Sequence, residues 1–443
     1  MSEEKFVEYD EKVVEEVRQK LYGVIPKEYF QEKFGKRTPN YIKLLLVRET
    51  TGYLIIRSTE PDEVISTEVG NKEVVVIPSR KLKAREKLTG LLWCRKFGAV
   101  HLDVEYNFIK QAIQLANPNS LVFGDSVTEE REAIGLPARV LYEWSYSLRP
   151  KNEIIEELTH NALSEEGTMW DKGKGAHRES LYDVQYVKPG VYFPQFIVFP
   201  DITPEGFLHV LLSIIKTTRY GAQSNVMDAN MKNHIVAIAL DQFEPAISSY
   251  VLSKEWNKDK VTLEEIRQYA IEKLKECSKA VIVSEEETKE DNKKGESSKD
   301  DEKENKNKGA VKNNLQDLLD LTDELLANES KLKEVYKKLL NDSIAYLIEC
   351  KIIKENDVGN YLSELQDKKI GEIEKWDDLN SALEKQDITK LKDMLNVEIS
   401  EKSKIEKEES LWKIVDDEKN KEYIIRQEGD KGILYLRNFE IGM

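Results

Sequence analysis

Apolar side chains recur at two different periods along this chain, and each change of period marks an element. Between Pro204 and Thr217 the residues Phe207, Val210, Leu211, Ile214 and Ile215 stand three and four apart, which predicts an amphipathic helix with Pro204 and Glu205 in its first turn. Asn233 to Leu240 is short, apolar and rich in β-branched residues, which predicts a strand buried in a sheet. Upstream, the runs 41–48, 52–57 and 72–77 predict two or three antiparallel strands that follow one another, after a leading helix with Val13, Val17 and Leu21 on one face. Residues 78–98 predict a second helix and residues 138–148 a further strand. The runs 182–186 and 191–198 flank Lys188-Pro189-Gly190 in the manner of a hairpin. Thr262, with Glu265 three residues on, caps a helix that runs to Lys275. Helical spacing then resumes at Leu315 and holds to Leu395, before a closing hairpin of 423–426 against 433–436. Together these elements predict an α+β fold, a ferredoxin-like antiparallel sheet with helices on one face and large insertions.

Length and charge divide that pattern. A chain of 443 residues exceeds one ordinary core. Ser284 to Gly309 contains no apolar side chain, so it is expected to be a disordered charged linker between a domain at 1–283 and an acidic, mainly helical module at 310–443. The formal charge of −16 excludes a generic polyanion binder. It is uneven: −9 over 310–443, −3 over 284–309 and only −4 over 1–283. The first domain can therefore carry a basic groove, while the last part favours a protein partner.

Cys94, Cys277 and Cys350 form no CxxC pair, which speaks against a disulfide framework or a zinc site and for a reducing compartment. The acidic start has no apolar core of a leader and no stretch reaches the length of a membrane span, so a cytoplasmic protein with no membrane partner is expected. The 5 histidines are dispersed and suggest no nucleophile–base pair or ligand set.

Two stretches carry candidate chemistry. The loop between the 204–217 helix and the 233–240 strand offers Arg219, Tyr220, Gly221, Gln223, Lys232 and Asn233: cations, an aromatic face, amides and free backbone N–H groups that suit a sugar-phosphate chain and a stacked base. The alternative is a polar connection and nothing more. The 78–98 helix places Arg80, Lys81, Lys83, Arg85 and Lys87 in its first turns, where the helix dipole disfavours positive charge and a phosphate would relieve it. The alternative there is a solvated basic face.

The runs YIKLLLVRETTGYLIIRS, RKLKAREKLTGLL, Gly167 to Met169, TRYGAQ (218–223) and MKNHIVAIA (231–239) resemble the backbone subunit of the type I-D CRISPR surveillance complex over about residues 38–245. The resemblance implies a right-hand-shaped fold like an RNA-recognition motif (RRM), several copies polymerised along a CRISPR RNA, contact with other subunits of the complex, and presentation of the guide for pairing with target DNA in antiviral defence. It implies a palm of Lys216, Arg219, Tyr220, Gln223, Lys232 and Asn233, a second phosphate contact at Lys81, Lys83 and Arg85, and a thumb hairpin at about 181–194. Relatives carry a cysteine cluster after the position of Leu92 where this chain keeps only Cys94, so no metal is expected. No catalytic group and no cofactor are expected either. The alternatives are an RNA-cleaving backbone subunit like those of type III complexes, with Asp228 or Asp125 as its acid, and a generic single-stranded RNA binder.

Overall fold

The computed structural model describes residues 6–35, 38–57, 62–101, 104–127, 134–160, 170–171, 176–177, 182–221, 229–258, 261–284, 314–365, 367–397, 399–408, 411–416, 421–428 and 430–437. The expected linker lies almost wholly outside them. In chain order the first elements are α1 (Glu11–Tyr22), β1 (Asn40–Thr50), β2 (Ser66–Val69), β3 (Lys72–Ile77), α2 (Ser79–Lys96), β4 (Leu141–Tyr142), β5 (Ser145–Pro150), β6 (Ile155–His160), β7 (Tyr182–Val187) and β8 (Tyr192–Phe199). There follow α3 (Pro204–Lys216), β9 (Met231–Gln242), α4 (Leu263–Cys277), β10 (Ala280–Ile282), α5 (Leu315–Ala327), α6 (Glu329–Glu349) and α7 (Glu355–Leu365).

The central sheet has the order β10-β9-β1-β8-β4, with every neighbouring pair antiparallel. Strand β1 lies at its middle because its residues are apolar on both sides. Ile42, Leu44 and Leu46 enter a core with α2 and α3, whereas Leu45 and Val47 enter another with Ile266, Ala270, Ile271 and Leu274 of α4. Helices thus cover both faces, not the one face expected. The α4 capping box forms as its sequence predicts, with Thr262 Oγ1 accepting from the Glu265 N–H and the Glu265 carboxylate accepting from the Thr262 N–H.

Three local expectations change. The run 52–57 makes no strand, only a single bridge from Leu54 to Val187, although Leu54, Ile55 and Ile56 are buried. The two strands around Lys188-Pro189-Gly190 do not pair with each other: β7 pairs with β6, and β8 joins the central sheet beside β1. The Gly190 turn, at φ 78°, carries the chain from one sheet to another, so among the described residues of the expected thumb at 181–194, 182–187 pairs with 155–160 and not with 192–199. Trp170–Asp171 pairs with Ala176–His177.

The third change concerns 310–443. Helices α5 to α7 belong to the first core, where Leu318, Leu325, Leu339, Ile344, Leu347 and Tyr361 pack with residues of α1, α2 and α3. Asn341 Oδ1 accepts from the Phe6 and Val7 N–H groups at 2.8 and 2.9 Å, and the Tyr361 hydroxyl donates to Ala116 O at 3.0 Å. The expected boundary at 283/310 therefore does not separate two cores. Beyond α7 the chain is not mainly helical: β11 (Asp367–Ile373), α8 (Trp376–Glu384), α9 (Ile388–Leu395), β12 (Lys404–Glu408), β13 (Leu411–Asp416), β14 (Lys421–Glu428) and β15 (Lys431–Arg437) form a five-stranded antiparallel sheet, order β11-β15-β14-β13-β12, backed by two helices. The closing hairpin is present as β14 and β15, with Tyr423 opposite Leu436 and Arg426 opposite Ile433.

Candidate nucleic-acid interface

The site is organised by a charge inside the sheet. Arg48 shares the α2-facing side of β1 with Leu44 and Leu46 and is 0 % exposed. Its Nη1 donates to Glu86 Oε1 on α2 at 2.7 Å, to Asn233 Oδ1 on β9 at 2.7 Å and to the Tyr220 hydroxyl at 3.1 Å, while its Nε donates to Gln195 Oε1 on β8 at 2.7 Å. The Tyr220 hydroxyl donates to Glu86 Oε1 at 2.6 Å and the Tyr142 hydroxyl to Glu86 Oε2 at 2.5 Å. Burial alone would lower the Arg48 pKa, but the Glu86 carboxylate beside it outweighs that and holds the guanidinium charged. Burial, then the Glu86 charge, pushes the Tyr220 hydroxyl well above its ordinary value, so it remains a proton donor. A buried pair of this kind is stable only when most of its hydrogen-bonding groups are met, and here three strands, through Gln195, Asn233 and Tyr142, and the Tyr220 loop meet all but Arg48 Nη2.

That network fixes both roots of the loop. Asn233 Nδ2 donates to Ile214 O, Thr217 O and the Tyr220 hydroxyl, closing the C-terminus of α3 against β9. Asn230 pairs reciprocally with the Tyr220 backbone, both bonds 2.9 Å. Thr89 on α2 meets Thr217 hydroxyl to hydroxyl at 2.7 Å, and Arg85 Nε donates to Arg219 O at 3.1 Å. Helix α2 can come this close to α3 because position 90 is glycine: a Cβ there would lie 2.4 Å from Asn119 Oδ1 and 3.0 Å from His209 Nε2.

The consequence is that the two stretches singled out in the sequence adjoin. Arg85, with Lys81 one turn away on the same side of α2, stands beside the exposed Arg219 and the exposed Lys216 at the end of α3. Helix α2 starts without a side-chain cap and without an acidic residue in its first turn, so its dipole adds to the positive field. Lys83 points to the neighbouring side, where burial and then the Lys87 charge lower its pKa to about 8 and Asp125 compensates only in part. Lys87 itself is engaged with Asp125 Oδ2 at 2.9 Å and with Asn107 and Gly124 O.

Other expected positions fall elsewhere. Tyr220 is 1 % exposed, which removes its ring from any base, and Asn233 is spent on the network. Both are supports of the loop and not surfaces of it. Lys232 is exposed, but strand alternation sets it on the β9 face opposite Asn233, the face where His234 Nε2 meets Glu49 Oε2 at 2.8 Å. Gln223, Asp228 and Gly167 to Met169 lie outside the described residues. Asp125 is held by Lys87 and by the Ser120 hydroxyl, which gives it a structural role. Among the described residues no group of three or more His, Cys, Asp or Glu could hold a metal ion. Nor is any described helix long and apolar enough to cross a membrane.

Sequence reasoning missed Arg48 and Glu86, though a signal exists. Arg48 directly follows the apolar run Leu44 to Val47 and falls in register with Leu44 and Leu46, and Glu86 is the one acid in the basic helix 79–96. A lone charge at a core-facing position in each of two elements is what a buried pair requires.

The family model described as Csc2 Crispr matches residues 27–336, a span that includes every residue of this site and ends within α6. The crystal structure of Thermofilum pendens Csc2 is similar at 15 % identity, with 73 % of this chain and 95 % of that one covered and a TM-score of 0.47. A chain of a CRISPR RNA-guided surveillance complex is similar at 14 % identity over 65 % of this chain and 98 % of that one, TM-score 0.40, and a chain of such a complex in a pre-nicking state at 13 % over 55 % and 90 %, TM-score 0.39. No curated protein matches the chain.

Proposed function

Since the chain belongs to the Csc2 CRISPR family, the CRISPR RNA-binding backbone subunits of RNA-guided surveillance complexes, we propose that its guide strand runs along the α2 side of the central sheet. The subunit works with CRISPR RNA, with further copies of itself and with the other subunits of the complex. Guide phosphates meet Lys81, Lys83, Arg85, Lys216 and Arg219, with Gln223 in the same loop, while Tyr220 and Asn233 hold that loop in place. The single observation that carries this reading is the Arg85 to Arg219 O bond, which ties the basic helix to the basic loop. Lys232 belongs to the opposite face and contributes at most as a rim charge. The antiparallel sheet backed by α2 and α3 supports an RRM-like palm, and the TRYGAQ and KNHIV runs support a type I-D complex, with target DNA met through guide pairing and the whole acting in the cytoplasm.

The role is positional, and no bond is made or broken by this chain. Asp125 is engaged in an ion pair, which weakens the cleaving alternative. The test is guide RNA binding across a salt series: Arg85→Ala with Arg219→Ala should reduce the slope of log K against log salt by about two, since each phosphate contact contributes about one. An unchanged slope removes this face from the account. Metal-dependent cleavage of guide-complementary RNA would overturn the non-catalytic role.

A further inference from the structure

Beyond the last residue of β9 the chain holds an aromatic ring in water at a conformational cost. Phe243 is 71 % exposed and has φ 66°, a region that a bulky side chain disfavours unless its surroundings enforce it. They do. The Phe243 N–H donates to Pro39 O at 2.6 Å, and buried Lys43 Nζ grips the next residues through Glu244 Oε1 (3.0 Å), Pro245 O (3.0 Å) and Ile247 O (2.8 Å). The same segment ends beside two more exposed rings. Ser249 N donates to Glu143 Oε1 and Ser249 Oγ accepts from Tyr146 N, which pins the far end of the segment next to the exposed Trp144 and Tyr250 in sequence, with Tyr250 edge-on to Tyr146 at 5.6 Å.

A strained, exposed aromatic on a segment pinned at both ends has the chemistry of a protein-docking anchor. The exposed group next to Phe243 is the Glu244 carboxylate, an acceptor whose Lys43 partner is buried, so this pair offers no cation to a phosphate chain. Copies arranged in a row on one strand meet head to tail, and such a contact needs two different surfaces on each copy. A complementary one lies on the outer side of α2. Leu88, Leu92 and Lys96 stand four apart there, Leu92 is 54 % exposed, and the exposed Lys96 ammonium, which also reaches Glu329, offers the opposite charge to Glu244.

We propose that Phe243 and Glu244 of one copy dock against Leu92 and Lys96 of a second copy of this chain. The inference rests on the reading of the chain as a guide-RNA backbone subunit. Phe243→Asp and Leu92→Asp variants should each bind an RNA long enough for one copy as wild type does, which also reports that they fold. On an RNA long enough for two copies each variant alone should lose cooperative occupancy by about tenfold or more, as removal of an interface anchor does. Mixed in equal amounts they should regain pairs, because one junction still sets Phe243 against Leu92, but not rows of three on a longer RNA. Wild-type cooperativity in either variant, or no recovery of pairs in the mixture, overturns the proposal. Failure of the wild type to bind the one-copy RNA would instead overturn the backbone reading itself.

Discussion

Asn233 and Lys232 are adjacent in sequence and polar alike, yet strand alternation sends one into the buried polar network around Arg48 and the other into solvent on the far face. The same contrast divides α2, where Glu86 is sealed against Arg48 while Arg85 remains at the surface. Charge serves two purposes in this fold. Inside, it fixes where the loop leaves α3 and enters β9; outside, on the α2 side, it presents the cations that we assign to guide phosphates.

Four changes sharpen or break that contrast. Glu86→Ala should have the largest effect, a loss of about 3–5 kcal/mol in chemical denaturation, because it strands the Arg48 guanidinium without its counter-charge. A Glu86→Ala protein as stable as wild type would show that the network is dispensable. Gly90→Ala comes next, at about 1–3 kcal/mol, since the added Cβ meets Asn119 Oδ1 at 2.4 Å and His209 Nε2 of α3 at 3.0 Å, so those buried side chains or α2 must shift. It should also weaken guide binding, by moving Arg85 from Arg219 O.

A smaller effect depends on pH. Lys83 is charged below its lowered pKa of about 8 and loses that charge as pH rises through it. A bound phosphate favours the ammonium, so binding takes up a proton near that pH, and affinity for guide RNA should fall between about pH 7 and 9. Lys83→Arg should flatten the profile, and a profile equally steep in the variant would assign the dependence to another group. Lys232→Ala should do least, with affinity changed less than about twofold and the salt slope intact, as expected of a rim charge.

How much of the fold and site was legible in the sequence depends on how local each signal is. Helix α3, strand β9 and the capping box of α4 depend on periodicity and on residues three apart, and all three form where the pattern predicts them. Strand pairing is not local. The Lys188-Pro189-Gly190 turn carries every letter of a hairpin, yet β8 finds its partner in β1, more than a hundred residues upstream, because that places Phe196 and Ile197 in the two cores. Strands β12 and β13 were hidden by charged residues on their open positions, as in KIEKE, whereas the closing hairpin of β14 and β15 was legible. At the site, the exposed cations were legible as a charge run, whereas the burial of Tyr220 depends on Arg48 and Glu86, which only the folded sheet brings together.

The side of the sheet that carries the guide can be read directly by photo-crosslinking, with a photoreactive residue placed either at Leu88, next to Arg85 on the outer side of α2, or at Lys232. Guide RNA should crosslink from position 88 and leave position 232 unlabelled. Strong labelling from 232 with none from 88 would place the strand on the other face and contradict the account.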